Sequence, residues 1–381
     1  MSRSRLPMAA TIAILIFATT CRSVAQEPTH TRRVVAAHVE HCRRAYAECA
    51  DRAGKLVASV EALIAEPSRA TLDGARAAWT AARASYGRTE ALRFRGDPLD
   101  EVEPLLNAWP IDETFVDNRA VDRPGIIQDS ATYRSLSIEL LEHANERGGE
   151  ANISVGWHAV EFLLWGRDDN PNGPGSRSPE SFRIGADPDA ERRSQYLRIT
   201  ATALRDHLVR LAREWEPDRS NVRRRYETDP KDALRRMLTG TLILTAFELS
   251  GERLAVAYET KDQEQEHSCF SDTTTADLIA NQLGIQEVLG VRDGKAGADS
   301  VIGLLESIDP QSAKFLLQSC RRTEECLRAI PHPFDQAFLG DDDTPGRIAI
   351  RDALAALDDQ TDALAIAGKL FGFDLPMRPG N

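Results

Sequence analysis

Val35, Val39, Cys42, Tyr46, Cys49, Ala53, Leu56, Val60 and Leu63 follow one another in alternating steps of four and three. One face of a long bundle helix presents such a stripe to a core. Cys42 and Cys49 stand two turns apart in it, about 10.5 Å of helical rise, which is beyond disulfide reach. Both therefore read as small buried hydrophobes. The periodicity returns at the other end of the chain, where Ile350, Leu354, Leu357 and Leu364 follow Thr344-Pro345, a cap residue and an N1 proline. Between these ends, Pro67-Ser68 opens a second helix to about Tyr86, Gly148-Gly149 closes a third, and Asp187-Pro188 opens one running to Trp215. A longer helix is expected from Asn221 to Tyr258, with shorter ones over Thr273–Leu289, Val301–Ser307 and Pro310–Ile330. No alternating apolar run or Asn-Gly hairpin signal argues for a sheet. The expected fold is all-α, two helical bundles of about four helices each. A Gly-, Pro-, Asn- and Asp-rich loop from Gly166 to Asp187 divides them, giving an N-terminal bundle over 26–187 and a C-terminal bundle over 188–381.

The first residues address the compartment. Arg3 and Arg5 precede an apolar run from Met8 to Phe17, and Ser23-Val24-Ala25 offers a small-x-small cleavage site. This reads as a secretory signal over 1–25, too short to span a membrane. Cys21 offers a lipoprotein-type alternative, disfavoured because the position three before it is not a larger aliphatic residue. Cleavage after Ala25 leaves 356 of the 381 residues and removes Arg3, Arg5 and Arg22, taking the net charge from -12 to -15. So acidic a chain is no candidate for nucleic acid, and no second apolar run approaches membrane-spanning length. Cys42, Cys49, Cys269, Cys320 and Cys326 remain, an odd set that leaves at least one thiol outside any intramolecular disulfide.

Gly156-Trp157-His158-Ala159-Val160-Glu161 opens a strongly apolar segment that ends in Phe162-Leu163-Leu164-Trp165. On a helix, positions three apart share a face, with Cβ atoms about 5–6 Å apart. An imidazole and a carboxylate in apolar surroundings need partners. A metal ion is one such partner, and a mutual hydrogen bond inside the core is the plain alternative. Further donors come from elsewhere: Tyr86 and Glu90 at the end of the second helix, Trp109 and Asp112 in a segment that Pro110 keeps from being helical, and Glu248 with Arg253. An internal Glu248–Arg253 ion pair and packing by Trp109 are the structural alternatives there. Glu264 to Asp272 crowds acids, His267 and Cys269 into one stretch, where Ser271 or Asp272 also suits capping of the next helix.

These blocks resemble the imelysin family. Gly156-Trp157-His158-Ala159-Val160-Glu161 resembles its Gly-x-His-x-x-Glu signature. Ala77-Ala78-Trp79 through Glu90, Asn107-Ala108-Trp109-Pro110 with Asp112, Gly251-Glu252-Arg253, Glu266 to Asp272, and Pro331-His332-Pro333-Phe334-Asp335 resemble further family blocks in family order. The Glu266–Asp272 block is most similar to the iron-regulated branch. The resemblance implies a periplasmic or outer-membrane-associated protein with two helical bundles, a site in the cleft between them, and a link to iron uptake or regulation. It also implies a possible peptidase class. In that branch Ser-Asp often continues Asn-Thr-His, whereas Asp272 is followed here by Thr273-Thr274-Thr275, so a histidine ligand at that place is not available to this chain.

A zinc peptidase needs three protein ligands, an open position and a carboxylate base. The chain has no His-Glu-x-x-His helix to provide them. Metal binding asks less, and mixed nitrogen and oxygen donors suit iron, zinc or copper more than calcium, with iron the one the family resemblance favours. The leading expectation is a divalent or ferric ion held by His158 and Glu161, completed from Glu90, Asp112 or Glu248. Gly156, Trp109, Tyr86, Arg253 and Asp272 would line the cleft. Other envelope iron-uptake components are the partners this implies. A metallopeptidase and a metal-free helical interaction module are the alternatives, and the Gly166–Asp187 loop is either a gate over the cleft or a linker.

Overall fold

The structure, a computed structural model, describes residues 10–94, 98–170 and 172–376, with side chains in the first helix from residue 29 on. The leader expected over 1–25, with Cys21, falls outside these side chains. The fold is all-α, built of packed helical bundles. The first helix, Ala10–Ala65, buries every member of its four-three stripe from Val35 to Leu63. Each fully buried Val or Leu contributes roughly 1.5–3 kcal/mol of apolar transfer. Ser68 closes a reciprocal capping box with Thr71 and starts the helix Arg69–Gly87. Among the described residues no helix is long and apolar enough to cross a membrane.

Two groups of helices are evident from packing. Ala10–Ala65 lies against Arg69–Gly87 and Ala190–Arg213, and the motif helix Gly156–Trp165 is wedged among Ala190–Arg213, Arg69–Gly87 and Pro98–Asn107. At the other end Pro310–Ala329 packs along Pro345–Leu370, with Val301–Ile308 beside it. The helix Thr274–Leu289 touches both groups, contacting Arg69–Gly87 on one side and Pro310–Ala329 on the other.

Two local departures from expectation have clear causes. The helix expected from Asn221 to Tyr258 is interrupted: Asp229 caps a new helix at Asp232 N, and Pro230 occupies its first turn, giving Val222–Thr228 and then Pro230–Ile243. The chain continues as a π-helix, Leu244–Ala255, before a last α-helical turn, Val256–Thr260. A two-residue-per-strand hairpin, Val291–Arg292 with Lys295–Ala296, turns through Asp293 and Gly294, both at positive φ. Asp-Gly is a hairpin signal of the same kind as Asn-Gly. The five cysteines from Cys42 to Cys326 are all buried and none forms a disulfide.

Candidate functional site

The motif helix starts under steric compulsion. Gly156 sits at φ +89°, and a Cβ there would lie 2.5 Å from the Leu106 carbonyl oxygen. Only glycine combines this backbone conformation with so close an approach. The helix that follows is buried at every position.

His158 and Glu161 leave one face of it and meet each other, Nδ1 to Oε2 at 2.9 Å. The other carboxylate oxygen of Glu161 accepts hydrogen bonds from Ser271 N at 3.0 Å and Ser271 Oγ at 2.7 Å. Ser271 therefore does not cap the next helix, whose N-cap is Thr273 without a side-chain bond. Burial pushes the Glu161 carboxyl up to about 8 and holds the His158 imidazole well below its usual value, with the Arg83 guanidinium acting in the same direction on His158. His158 Nε2 is buried and has no hydrogen-bond partner.

A second imidazole faces the first. The His158 and His267 ring centroids are 4.9 Å apart at 65°. His267 Nδ1 lies 3.3 Å from Asp277 Oδ2, and the Trp109 ring stands edge-on to His267 at 5.5 Å. Trp109, which follows the expected non-helical path through a cis bond to Pro110, donates from Nε1 to the Glu266 carbonyl at 3.1 Å. Burial, then Arg253 and Arg83, keeps His267 far below the normal imidazole range.

Arg83 organises this half of the site. Its Nε donates to Asp277 Oδ2 at 3.0 Å, its Nη1 to Asn107 Oδ1, and its Nη2 approaches the His267 ring nitrogens at 3.4 Å. Ser268 Oγ supplies Asp277 with a further donor at 2.7 Å. The guanidinium also lies over Tyr86 and Trp157. Asn107 links onward, its Nδ2 reaching Glu90 at 3.5 Å.

Glu90 and Glu248 belong to a neighbouring ion-pair node. Arg253 donates to Glu90 at 2.6 Å, to Glu248 at 2.9 Å and to Asn281; Arg93 approaches Glu90 at 3.3 Å. Burial alone would raise Glu90, but Arg253, Arg93 and Arg83 override it and hold the carboxyl at about 2. Glu248 and Arg253 are five positions apart within the π-helix, and widened turns of this kind recur at functional sites.

The structure thus brings His158 and Glu161 together on the helix that Gly156 starts, sets Trp109 against His267 and Tyr86 against Trp157, and gives Glu90, Glu248 and Arg253 to one another. Tyr86 Oη is buried without a hydrogen-bond partner. Asp272 is buried nearby, and Glu161 acts on its carboxyl. Asp112 is engaged elsewhere: it caps the short helix Glu113–Val116 through Thr114 and pairs with the exposed Arg123 at 2.6 Å. Among the described residues no three His, Cys, Asp or Glu side chains stand close enough together to hold an ion. His158 Nε2 is left buried and unpartnered while its other ring nitrogen is held by Glu161.

The family model described as imelysin matches residues 42–364, most of the chain. The chain belongs to the imelysin family. Among relatives of this imelysin-family protein is the iron-regulated protein A of Synechococcus elongatus, 24% identical over 330 residues, covering 84% of this chain and 80% of that one. A solved structure of a candidate iron-regulated protein A precursor from Parabacteroides distasonis shares the fold, with a TM-score of 0.72 at 20% identity over 90% of this chain and 95% of the other.

Arg83, Asn107, Asp277, Asn281 and Ser271 were not among the residues singled out from sequence as site candidates. Arg83 carried a usable signal, since Trp79, Arg83 and Tyr86 repeat the four-three spacing of a buried face.

Proposed function

We propose that this imelysin-family protein is an envelope metal-binding protein, linked to iron uptake or iron regulation, with His158 Nε2 as its primary protein ligand. The observation that carries the reading is the asymmetry of His158: Nδ1 is held by Glu161, while Nε2 is buried and unpartnered. A metal-binding histidine is oriented in this way by a carboxylate behind it. Glu161 then serves as the orienting residue, and His267, backed by Asp277, is the nearest second nitrogen donor. Neutral imidazoles suit ferrous or ferric iron, zinc or copper. Relatives named as iron-regulated favour iron. The secretory leader supports a periplasmic or outer-membrane-associated protein, whose partners would be other envelope iron-uptake components.

A peptidase would need an unengaged carboxylate beside the metal to activate water. Glu161 is engaged by His158 and Ser271, Asp277 by Arg83, and Glu90 by Arg253, while Glu266, buried before His267 in sequence, makes no bond to either imidazole. The side chains around His158 are arranged to hold and orient. The test is to strip the purified protein with chelator, reload it with ferrous iron or zinc, and measure bound metal. Stoichiometric binding that His158→Ala removes is expected. Equal metal content in the two proteins, with only the stability of the variant reduced, would overturn the reading in favour of a metal-free module.

A further inference from the structure

A cavity of about 500 Å³ opens between the first helix and the hairpin over 291–296, and no residue of the motif helix Gly156–Trp165 lines it. Its interior is apolar, built from Val34, Met237, Val288 and Val301, each at most 2% exposed. Gly290 sets the far wall: at φ +80° it packs so closely on Ser300 that a Cβ would collide there. Three acids also line the cavity, and each is already paired with an arginine: Glu40 with Arg43 at 2.7 Å, Asp299 with Arg33 at 2.8 Å, and Glu287 with Arg88. Three lining cations are not so met. Among the described residues Arg44, Arg292 and Lys295 take part in no ion pair. Arg292 and Lys295 are cross-strand partners, so their side chains leave the same face of the hairpin. Arg44 lies one turn beyond His41 on the first helix, across the cavity from them. The rim is therefore net positive in a chain whose net charge is -12.

His41 supplies a second, independent observation. It is 7% exposed, lines the same cavity, and its Nε2 has no hydrogen-bond partner. Glu287 Oε2 stands 3.9 Å away, too far for a hydrogen bond. Buried polar atoms without partners are rare in folded proteins, and an apolar cavity with a few convergent polar groups is the usual form of a small-molecule site. We propose that this cavity binds a small carboxylate with an apolar body, its tail against Val34, Met237, Val288 and Val301 and its head group among His41, Arg44, Arg292 and Lys295. With the ring proton on Nε2, His41 donates to one carboxylate oxygen, and the guanidiniums and the ammonium oppose the negative charge. A neutral or cationic ligand would leave the three cations unopposed, and an inorganic anion would leave the apolar interior uncovered. Burial is the main cause that lowers His41 to about 4; Glu287 opposes it, and Arg292 and Arg44 add to it, as cations on the His41 side of the cavity do.

Titration calorimetry with sodium octanoate on the purified, chelator-stripped protein tests the site. Octanoate should bind saturably at one site and at least about a hundredfold more tightly than acetate, because its added methylenes are buried. Octanol keeps the tail and drops the charge, and should bind at least about tenfold more weakly than octanoate. Arg292 and Lys295 are exposed, so the double variant Arg292→Glu, Lys295→Glu should keep the parent Tm while weakening octanoate at least about tenfold. Ala37 lines the cavity from an exposed position of the first helix, and Ala37→Phe should fill the space and abolish binding without lowering Tm. Octanoate binding should be unchanged in His158→Ala, which separates this cavity from the proposed metal site. Octanoate binding no tighter than acetate, or unchanged in both the hairpin double variant and Ala37→Phe, would overturn the proposal.

Discussion

Glu161 fixes His158 through Nδ1 at 2.9 Å, and Ser271, 110 residues away in sequence, fixes Glu161 through two hydrogen bonds of its own. The inward-facing Nε2 is thus aimed by a chain of three residues rather than by the helix alone. Orienting carboxylates of this kind tune a ligand without being ligands.

Glu161→Gln should therefore weaken metal binding by roughly 10–100-fold, while His158→Ala removes it. Ser271→Ala should act in the same direction as Glu161→Gln and more mildly. Titration calorimetry on chelator-stripped protein checks the order. A Glu161→Gln variant as defective as His158→Ala would make Glu161 a direct ligand instead.

Arg253 is the hub that pairs with both Glu90 and Glu248 inside the fold. Arg253→Ala leaves these carboxylates without their main counter-charge and should cost about 3–5 kcal/mol, the usual penalty for breaking one side of a buried pair. Urea unfolding measures it. Pairing Arg253→Ala with Glu90→Gln should recover part of the loss, and purely additive losses would show that the two residues do not act as a unit.

The first helix was legible because its four-three stripe, read locally, marks the buried face, and the motif helix because its apolar run suits a segment buried at every position. The partners of the motif were less so. His267 stood out in the Glu264–Asp272 cluster, but Asp277, which backs it, lies in a helix buried on several sides, where no amphipathic stripe marks a site-facing position. Glu90 read as a spare carboxylate because its shortest ion pair comes from far along the chain, Arg253 lying 163 positions away, whereas the pairing of Glu248 with Arg253, five positions apart, was already one of the two readings that the sequence offered. Asp112 looked equivalent to them, and only its short capped helix and Arg123 show its carboxylate to be engaged elsewhere. The π-helix escaped notice because its residues have ordinary helical propensity, and the insertion that widens it is a matter of packing.

Gly156→Ala tests whether the start of the motif helix is as constrained as it looks. The substitution forces a Cβ against the Leu106 carbonyl in a backbone region that L side chains rarely adopt. A loss of at least about 1–3 kcal/mol is expected from the strain alone. Thermal unfolding should show a lower Tm, and metal binding should weaken with it because His158 follows two positions later. An unchanged Tm would mean that the helix start relaxes freely.

Acid should unfold this protein through groups whose directions can be worked out in turn. Glu90 and Asp117 are both held at about 2, against burial, by arginines: Arg253 and Arg93 for the first, Arg193 and Arg177 for the second. A carboxyl with a depressed folded pKa stabilises the fold fully above its unfolded value near 4, and that contribution is lost as pH falls toward 2. Burial also lowers His41 to about 4, so keeping it neutral favours the fold above about 6.5, and this contribution declines as pH drops from there to 4. The raised acids Asp168 and Asp272 oppose it, because they are protonated more readily in the fold than in the unfolded chain and add stability as pH falls from about 7 to 4. Between pH 7 and about 4 the two trends oppose each other; below about 4 the depressed carboxyls Glu90 and Asp117 go on to lose their contribution, and stability should fall. Asp117→Asn should cost stability at pH 7 and progressively less as pH approaches 2. Denaturation curves of the two proteins across that range decide the matter, and a pH-independent gap between them would mean that Asp117 contributes through its shape and hydrogen bonds rather than its charge.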